Sequence, residues 1–566
     1  YIEISLPDVP NLGRKRTLFN RSALISANSL IKLKRGEFKS QIDYSFSRVT
    51  AHAQNITTYF LGDGNRIVNE DRNGIDRSHS LSGKFIYEQN RKTAFINNIL
   101  KTNIGWDNVR LRVDGSSSND QVASLPDYYV SNDFKLIKRF KGKHLITFKS
   151  MNEWESLPQT LSVTMADGLI SQHVGDHAFY TSENAAYAFA IKGVTISLEV
   201  GVNGYLRSLN STLSQMPEEV PGTTINVLNT NYTTVYATPK VEYGVGRVDL
   251  SLDAEVRFSH YTFDQAIADR SEVYFSPSLR MNWKPNNRFS MGISGGTGRS
   301  PMTMSLIQPG YIMTDYRSFR RGVDDFYNSS SQNVSVNMAY KNTRRGLFAD
   351  GVVMQSWSHN PYTLTHRLYG DYEIYSYTSA RSDGQMLMAS GNIGKTLDFI
   401  HGSARLNGSF SRHESNFISE SNSVHSVGTS WSAGVKINAT PIRWLSFDYR
   451  FAFSSRNLSM GGVKASWLGN IENEIMLNVV PHKKWEWRIS GEHYRNEITN
   501  DNYKNVFLLD TKVVFKLNKR LEFSTSLSNL LNYRTYKYVT YNQLSSFESR
   551  RWLRGRELLI SFSLRR

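Results

Sequence analysis

Near the C-terminus, apolar and polar side chains alternate one by one. Thr511, Val513, Phe515 and Leu517 interleave with Lys512, Val514 and Lys516, and a polar turn follows at Asn518-Lys519-Arg520. Leu521, Phe523, Thr525 and Leu527 then interleave with Glu522, Ser524, Ser526 and Ser528. After a longer connection, Leu558, Ile560, Phe562 and Leu564 interleave with Leu559, Ser561 and Ser563. Period-two alternation sends successive side chains to opposite faces of a sheet. Here one face is apolar and the other mostly small, polar or charged. Segments of ~10 residues, joined alternately by short and long connections, are the written form of a transmembrane β-barrel.

Composition agrees once a barrel is considered. A mean hydropathy of −0.43 is too polar for a helical membrane bundle, and no apolar run approaches the ~18 residues a spanning helix needs. In a barrel half of each strand faces water, so the average stays low. The 566 residues would suggest several soluble domains, but strands repeated around one closed sheet make a single large unit. A large soluble β-protein is the weaker alternative. Aromatic content of 12% suits membrane-interface girdles. The absence of cysteine removes disulfides, thiolate metal sites and cysteine nucleophiles together. A net charge of +17 spread over turns, loops and polar faces, with no basic tract, points to barrel ends meeting phosphate-bearing lipid. An anion-attracting lumen is the second reading, and no nucleic-acid partner is expected. No signal peptide opens the chain, so a processed or trimmed form is expected.

Residues 1–20, with two prolines and no sustained alternation, read as an extended lead-in, and 21–566 as the barrel. Short turns are expected at Arg35-Gly36, Asn90-Arg91-Lys92, Lys141-Gly142, near Gly193, at Gly246, Pro285-Asn286-Asn287 and Thr343-Arg344-Arg345. Four more follow at Thr396-Leu397-Asp398, Thr440-Pro441, His482-Lys483-Lys484 and Asn518-Lys519-Arg520. One strand carries Val248, Leu250, Leu252, Ala254, Val256 and Phe258 on one face and Asp249, Ser251, Asp253, Glu255 and Arg257 on the other. That charged face would be intolerable in a sandwich core, and is read as lumen-facing. The count reaches twenty-three segments, whereas single-chain bacterial barrels are even-numbered. About 22 strands are expected, or 24 if a first strand lies before Tyr1. Long extracellular loops are expected at roughly 51–77, 107–127, 156–178, 208–231, 299–329, 357–382 and 533–555.

Three passages resemble TonB-dependent outer-membrane receptors. They are Phe275-Ser276-Pro277-Ser278-Leu279-Arg280 through Trp283-Lys284-Pro285-Asn286 with the later Gly298-Arg299-Ser300-Pro301; Ser526-Leu527-Ser528-Asn529-Leu530-Leu531-Asn532-Tyr533; and Gly555-Arg556-Glu557-Leu558 at the start of the closing strand. The resemblance implies a multi-pass barrel in the bacterial outer membrane, in contact with lipid including lipopolysaccharide. It implies active uptake of a scarce solute such as a siderophore, glycan or peptide. It further implies a plug domain, upstream or separate, coupled to the TonB motor, and allows a surface lipoprotein. The family's plug and TonB-contact segment are not among these residues, and its usual aromatic terminus is replaced by Leu564-Arg565-Arg566. A non-transporting scaffold barrel in an envelope complex is the alternative.

No catalytic, metal or cofactor site is expected. Gly292 to Gly296 matches G-x-S-x-G with Ser294 as nucleophile, but no helical pattern follows to make the required strand-to-helix turn. Asp63, Asn65, Asn69, Glu70 and Asp71 could offer oxygen ligands but lack EF-hand spacing. His52, His173 and His177 read as surface histidines. The best binding candidates are aromatics with nearby charge in the outer loops: Tyr311, Tyr316, Arg317, Tyr362, Tyr369 and Tyr372, with Tyr375 and Tyr377 beside them. Aromatic faces stack on sugars and flat ligands while hydroxyls and guanidinium fix polar groups.

Overall fold

A computed structural model describes residues 1–566 except 5, 7–11, 62–63, 167, 217–221, 265–266, 420, 465–466, 500–501, 519, 542–544 and 565–566. Asp63, Lys519 and the last two arginines therefore lie outside the described residues.

The first strands are β1 (Phe19–Leu33), β2 (Gly36–Leu61), β3 (Gly64–Asn90), β4 (Ala94–Gly115), β5 (Asn119–Phe140) and β6 (His144–Met165). Next come β7 (Gly168–Ile191), β8 (Val194–Leu213), β9 (Ile225–Val245), β10 (Val248–Phe263), β11 (Arg270–Asn286) and β12 (Phe289–Pro301). The middle holds β13 (Ile312–Met313), β14 (Ser318–Arg321), β15 (Asn328–Asn342), β16 (Leu347–Asn360), β17 (Thr363–Tyr369) and β18 (Tyr372–Thr378). Then follow β19 (Ser382–Leu397), β20 (Gly402–Ser419), β21 (Asn422–Ile442), β22 (Leu445–Met460), β23 (Val463–Lys464) and β24 (Leu468–His482). The last are β25 (Trp485–Thr499), β26 (Asn502–Lys516), β27 (Leu521–Ser528), β28 (Thr535–Tyr541), β29 (Ser545–Trp552) and β30 (Glu557–Leu564).

The barrel wall runs in chain order, each strand antiparallel to the next: β1–β12, β15, β16, β19–β22, β24–β27 and β30. These are the same twenty-three segments as the alternation marks out. The short turns fall within about three residues of their expected places; the largest offset puts Arg443-Trp444 where Thr440-Pro441 was expected.

Outward apolar faces explain why this sheet suits lipid. On β10, Leu250, Leu252, Val256 and Phe258 are exposed, and on β8 so are Ile196, Leu198, Val200 and Val202. Among the described residues no second sheet covers them, which suits contact with hydrocarbon. Exposed Trp283, Trp444, Trp485 and Trp487 cluster near the short-turn rim, and Trp106, Trp154, Trp357 and Trp431 sit farther along their strands toward the other rim. That is the placement of interface girdles.

Several segments expected to be loops are strand. β2 and β3 are 26 and 27 residues long, far beyond the ~10 that a membrane requires. Residues 51–61, 64–77, 107–115, 119–127, 156–165, 168–178, 208–213 and 225–231 lie in these extensions. The physical reason is a reversal of polarity above the lipid. In the upper part of β4, Val109, Leu111 and Val113 are buried on the lumen side, while Asn108, Arg110 and Arg112 face outward. Leu161 and Val163 of β6 and Leu209 and Leu213 of β8 are buried in the same way. Outside is now water and inside is protein, so the apolar face changes sides.

The apolar belt is directly testable. Leu252→Arg should lower barrel stability by ~2–4 kcal/mol, the cost of a cation on the lipid face near the midplane. Asp253→Asn, one residue away on the other face, should leave it nearly unchanged. Urea midpoints and heat-modifiable gel mobility would read both.

Candidate functional site

The inward apolar faces need something to bury against, and the chain supplies it. Residues 302–327, between β12 and β15, fold into the outer mouth of the bore with Met302, Met304, Ile307, Tyr311, Ile312, Met313, Tyr316, Phe319, Val323 and Phe326 all buried. Within it β14 pairs in parallel with β18 of the β17–β18 hairpin, and β17 makes a short parallel pairing with β20. One cluster joins this cap to Ile2 and Ile4 of the lead-in and to Val109, Leu111, Val113, Leu161 and Val163 of the wall. A second joins Phe326, Val323 and Met304 to Leu228, Tyr261 and Phe263.

A loop inside a barrel must satisfy its own main chain away from water. Buried amide side chains of the wall do this. Gln121 Oε1 accepts from the Tyr316 N–H at 3.2 Å, and Gln172 Oε1 from the Met313 N–H at 3.1 Å. Asn226 accepts from the Gly310 N–H at 2.6 Å and donates to the Gly310 carbonyl at 3.2 Å. Gln159 accepts from the Ile2 N–H at 3.1 Å. Arg207, buried between Asp176 at 2.9 Å and the Met304 carbonyl at 3.1 Å, also meets the Tyr1 hydroxyl.

At the centre of the cap lies a charged latch. Arg317 Nε sits 3.1 Å from Glu373 Oε1, both side chains nearly buried. Glu373 also accepts from the Tyr59 hydroxyl and, at 2.6 Å, from that of Tyr375, while Tyr316 donates to Glu70 on β3. The guanidinium lies over the rings of Tyr59 and Tyr316 at 5.5 and 5.7 Å, a cation–π sandwich. Burial alone would pull the Arg317 pKa down; Glu373 overrides it, so the group is held charged more firmly than usual. Burial pushes the Tyr316 phenol up, with Glu70 adding to the shift. The latch ties cap, inner hairpin and wall together.

The expected binding residues therefore divide. Tyr311 and Tyr316 are buried, and Arg317 is engaged by Glu373; these are cap framework, not an outer stacking surface. Tyr362, Tyr369 and Tyr372 are half-buried. Tyr362 contacts Tyr327 and Tyr377, with ring centroids 5.9 and 6.0 Å away, and Tyr372 sits edge-on to Phe319 at 5.7 Å. Asp249, Asp253, Glu255 and Arg257 share the face of β10 that continues into buried Ser259, Tyr261 and Phe263. Glu255 and Arg257 pair at 2.6 Å, and Asp253 accepts from Ser278 at 2.9 Å. Gln121, Gln172, Asn226 and Glu373 were missed, and Glu70 was weighed only as a cation ligand; for Gln121, Gln172 and Asn226 the signal was a polar residue on a strand face that is otherwise mostly apolar.

The other motifs resolve locally. Ser294 lies within β12 and bonds Ser335 Oγ of β15 at 2.8 Å, so the strand-to-helix elbow of a nucleophilic serine is not made there. Glu70 and Asp71 are consecutive strand residues on opposite faces, Asp71 pairing outward with His52 at 2.6 Å, and cannot close on one cation. The His52 ring stacks on Trp552 with centroids 3.8 Å apart. Among the described residues no cluster suits a metal ion.

No family model and no curated protein matches the chain. Solved structures do. The outer membrane transporter YddB from Escherichia coli aligns over 96% of this chain and 75% of its own, at 11% identity and a TM-score of 0.50. The copper transporter OprC covers 95% and 80% at 9% identity and 0.47. The siderophore receptor PirA from Pseudomonas aeruginosa covers 95% and 80% at 10% identity and 0.42. At such identities the likeness is one of fold. The class so defined is the large multi-pass β-barrel, whose apolar belt and aromatic girdles suit it to a membrane. Within that class the fold is the one seen in the outer membrane transporter YddB.

Breaking the latch on one side should strand a buried carboxylate. Arg317→Met should cost ~3–5 kcal/mol locally and expose the cap to protease, and adding Glu373→Gln should recover part of the loss. Raising the pH past about 10, where an exposed phenol ionises, should loosen the wild-type cap. Tyr316 is held neutral only while buried, so folding loses ground as free tyrosines give up their protons. Limited proteolysis from pH 8 to 11 would show cleavage within 302–327 rising with pH.

Proposed function

We propose that this chain is the barrel of a TonB-dependent active transporter that carries a scarce solute, such as a siderophore, glycan or peptide, across the outer membrane. The observation that carries this reading is the capped mouth. A wall of this size would otherwise enclose an open channel or need a plug. Here a packed, latched segment caps the outer end, which suits a gated path more than a passive sieve. The fold shared with YddB, described as a transporter, supports the same reading.

On this proposal the half-buried Tyr362, Tyr369 and Tyr372 offer aromatic faces to the solute, and Tyr311, Tyr316 and Arg317 hold them in place. Asp249, Asp253, Glu255 and Arg257 line the path below. A plug domain, upstream or separate, occupies that bore and couples it to the TonB motor, and a surface lipoprotein could seat on the outer rim.

The test is growth of the producing cell on limiting solute. Growth should stop when the TonB motor is deleted, and replacing residues 303–325 by a short glycine-serine linker should raise sensitivity to large antibiotics at least tenfold. Growth indifferent to the motor, with no change in permeability, would leave the barrel a scaffold in an envelope complex.

A further inference from the structure

The wall has two free edges. β1 pairs with β2 along all of Phe19–Leu33, and β30 with β27 along Glu557–Leu564, but among the described residues no ladder joins β1 to β30. Every residue of β1 is exposed, and Leu558, Leu559, Ile560 and Phe562 are each more than 60% exposed. The strands alternate in direction and are odd in number, so β1 and β30 both run from the outer rim toward the short-turn rim. They cannot close on each other with an antiparallel ladder. In hydrocarbon an unpaired row of N–H and C=O groups costs several kcal/mol per group, so a spanning sheet must be closed.

Above the membrane, strands from the two sides of the seam do pair. β2 continues past β1 and pairs with β29 over Ala53–Tyr59, and β29 pairs with β28. At the head of the seam one arginine spans the gap. The Arg554 N–H bonds the Arg16 carbonyl at 2.8 Å, while its guanidinium reaches Glu557 at 2.7 Å and Asn20 at 3.5 Å. A cavity of about 310 Å³ opens there between Phe19, Arg21, Arg48 and Arg554. There the two sides are joined; below, along Phe19–Leu33 and Glu557–Leu564, the facing edges have no ladder between them among the described residues.

We propose that one ascending β-strand, supplied by polypeptide immediately upstream of Tyr1, fills this seam and completes a wall of twenty-four. Parity sets its direction: it must run antiparallel to both β1 and β30. A second copy of the barrel in the same membrane offers only descending edges, so it cannot serve. The lead-in sets the source. Tyr1 bonds Asp176, and Glu3 bonds the Thr314 carbonyl and Arg320, all at the outer end of the bore. Polypeptide reaching Tyr1 from the periplasm has to climb the height of the wall. The described lead-in residues Ile2, Ile4 and Leu12, buried like the cap, then belong to one more extracellular connection. The strand needs ~9–11 residues with alternate side chains apolar.

The protein made from its natural translation start, in outer membranes, provides the test. The 566 residues contain no cysteine, so introduced pairs read cleanly. Ser26→Cys or Ser29→Cys on β1, combined with Ser561→Cys or Ser563→Cys on β30, should form no disulfide, because bridging needs Cα atoms within ~7 Å. Cysteines stepped through the forty residues before Tyr1 should bond to β1 in one set of positions and to β30 in the same short window. Backbone amide exchange of β1 and β30, which needs no substitution, should be slow along both edges. A direct β1–β30 disulfide, fast exchange along either edge, or capture of a strand from a separate polypeptide would each overturn the proposal.

Discussion

Everything in this structure follows from the need to hydrogen-bond a main chain that crosses hydrocarbon. A strand in lipid has no water to satisfy it, so it must be flanked on both sides by other strands. That single demand produces the long antiparallel wall, the short turns that link neighbours, and the apolar outer face. It also gives the unpaired edges of β1 and β30 their significance. Elsewhere the same demand is met twice: by ladders between wall strands, and inside the mouth by side-chain amides.

The cap shows how a loop can live in a barrel. Its apolar residues, from Met302 to Phe326, bury against wall positions whose polarity has turned inside out, and its main chain is received by Gln121, Gln172 and Asn226. Burying Arg317 and Glu373 together is not by itself strong evidence of stability, since desolvation offsets much of their attraction. Its value lies in register: Arg317, Glu373, Tyr59, Tyr375, Tyr316 and Glu70 meet only when cap, hairpin and wall are correctly seated. Such an assembly is either docked or released, with few arrangements between. That is a property a gate for the proposed uptake would need.

Strand existence and order were legible because period-two alternation is local and repeats. Val248 to Phe258 reads the same way in the sequence as on the wall. The turns were legible because glycine, asparagine and charged pairs gather at the rim. The extensions were not. In the stretch Asn108 to Val113 the alternation persists with its apolar set on the other face, and a rule that expects apolar-out takes the change for a loop. The cap was invisible for a related reason: Tyr311, Tyr316 and Arg317 carry the composition of a binding loop, and only their partners, distant in the chain, show that they are framework.

By itself the sequence determined the architecture, a large antiparallel membrane barrel with short turns on one rim, and left its strand number at about 22 or 24. It could do so because alternation, turn chemistry and girdle aromatics are encoded within ten residues of each other. The tertiary structure alone decided where the membrane stops, what seals the mouth and which charges find each other. Those outcomes rest on pairs such as Glu70 with Tyr316, Tyr59 with Glu373 and Gln172 with Met313. Such pairs are far apart in the chain and carry no periodic signal, so the ring must form before they can meet.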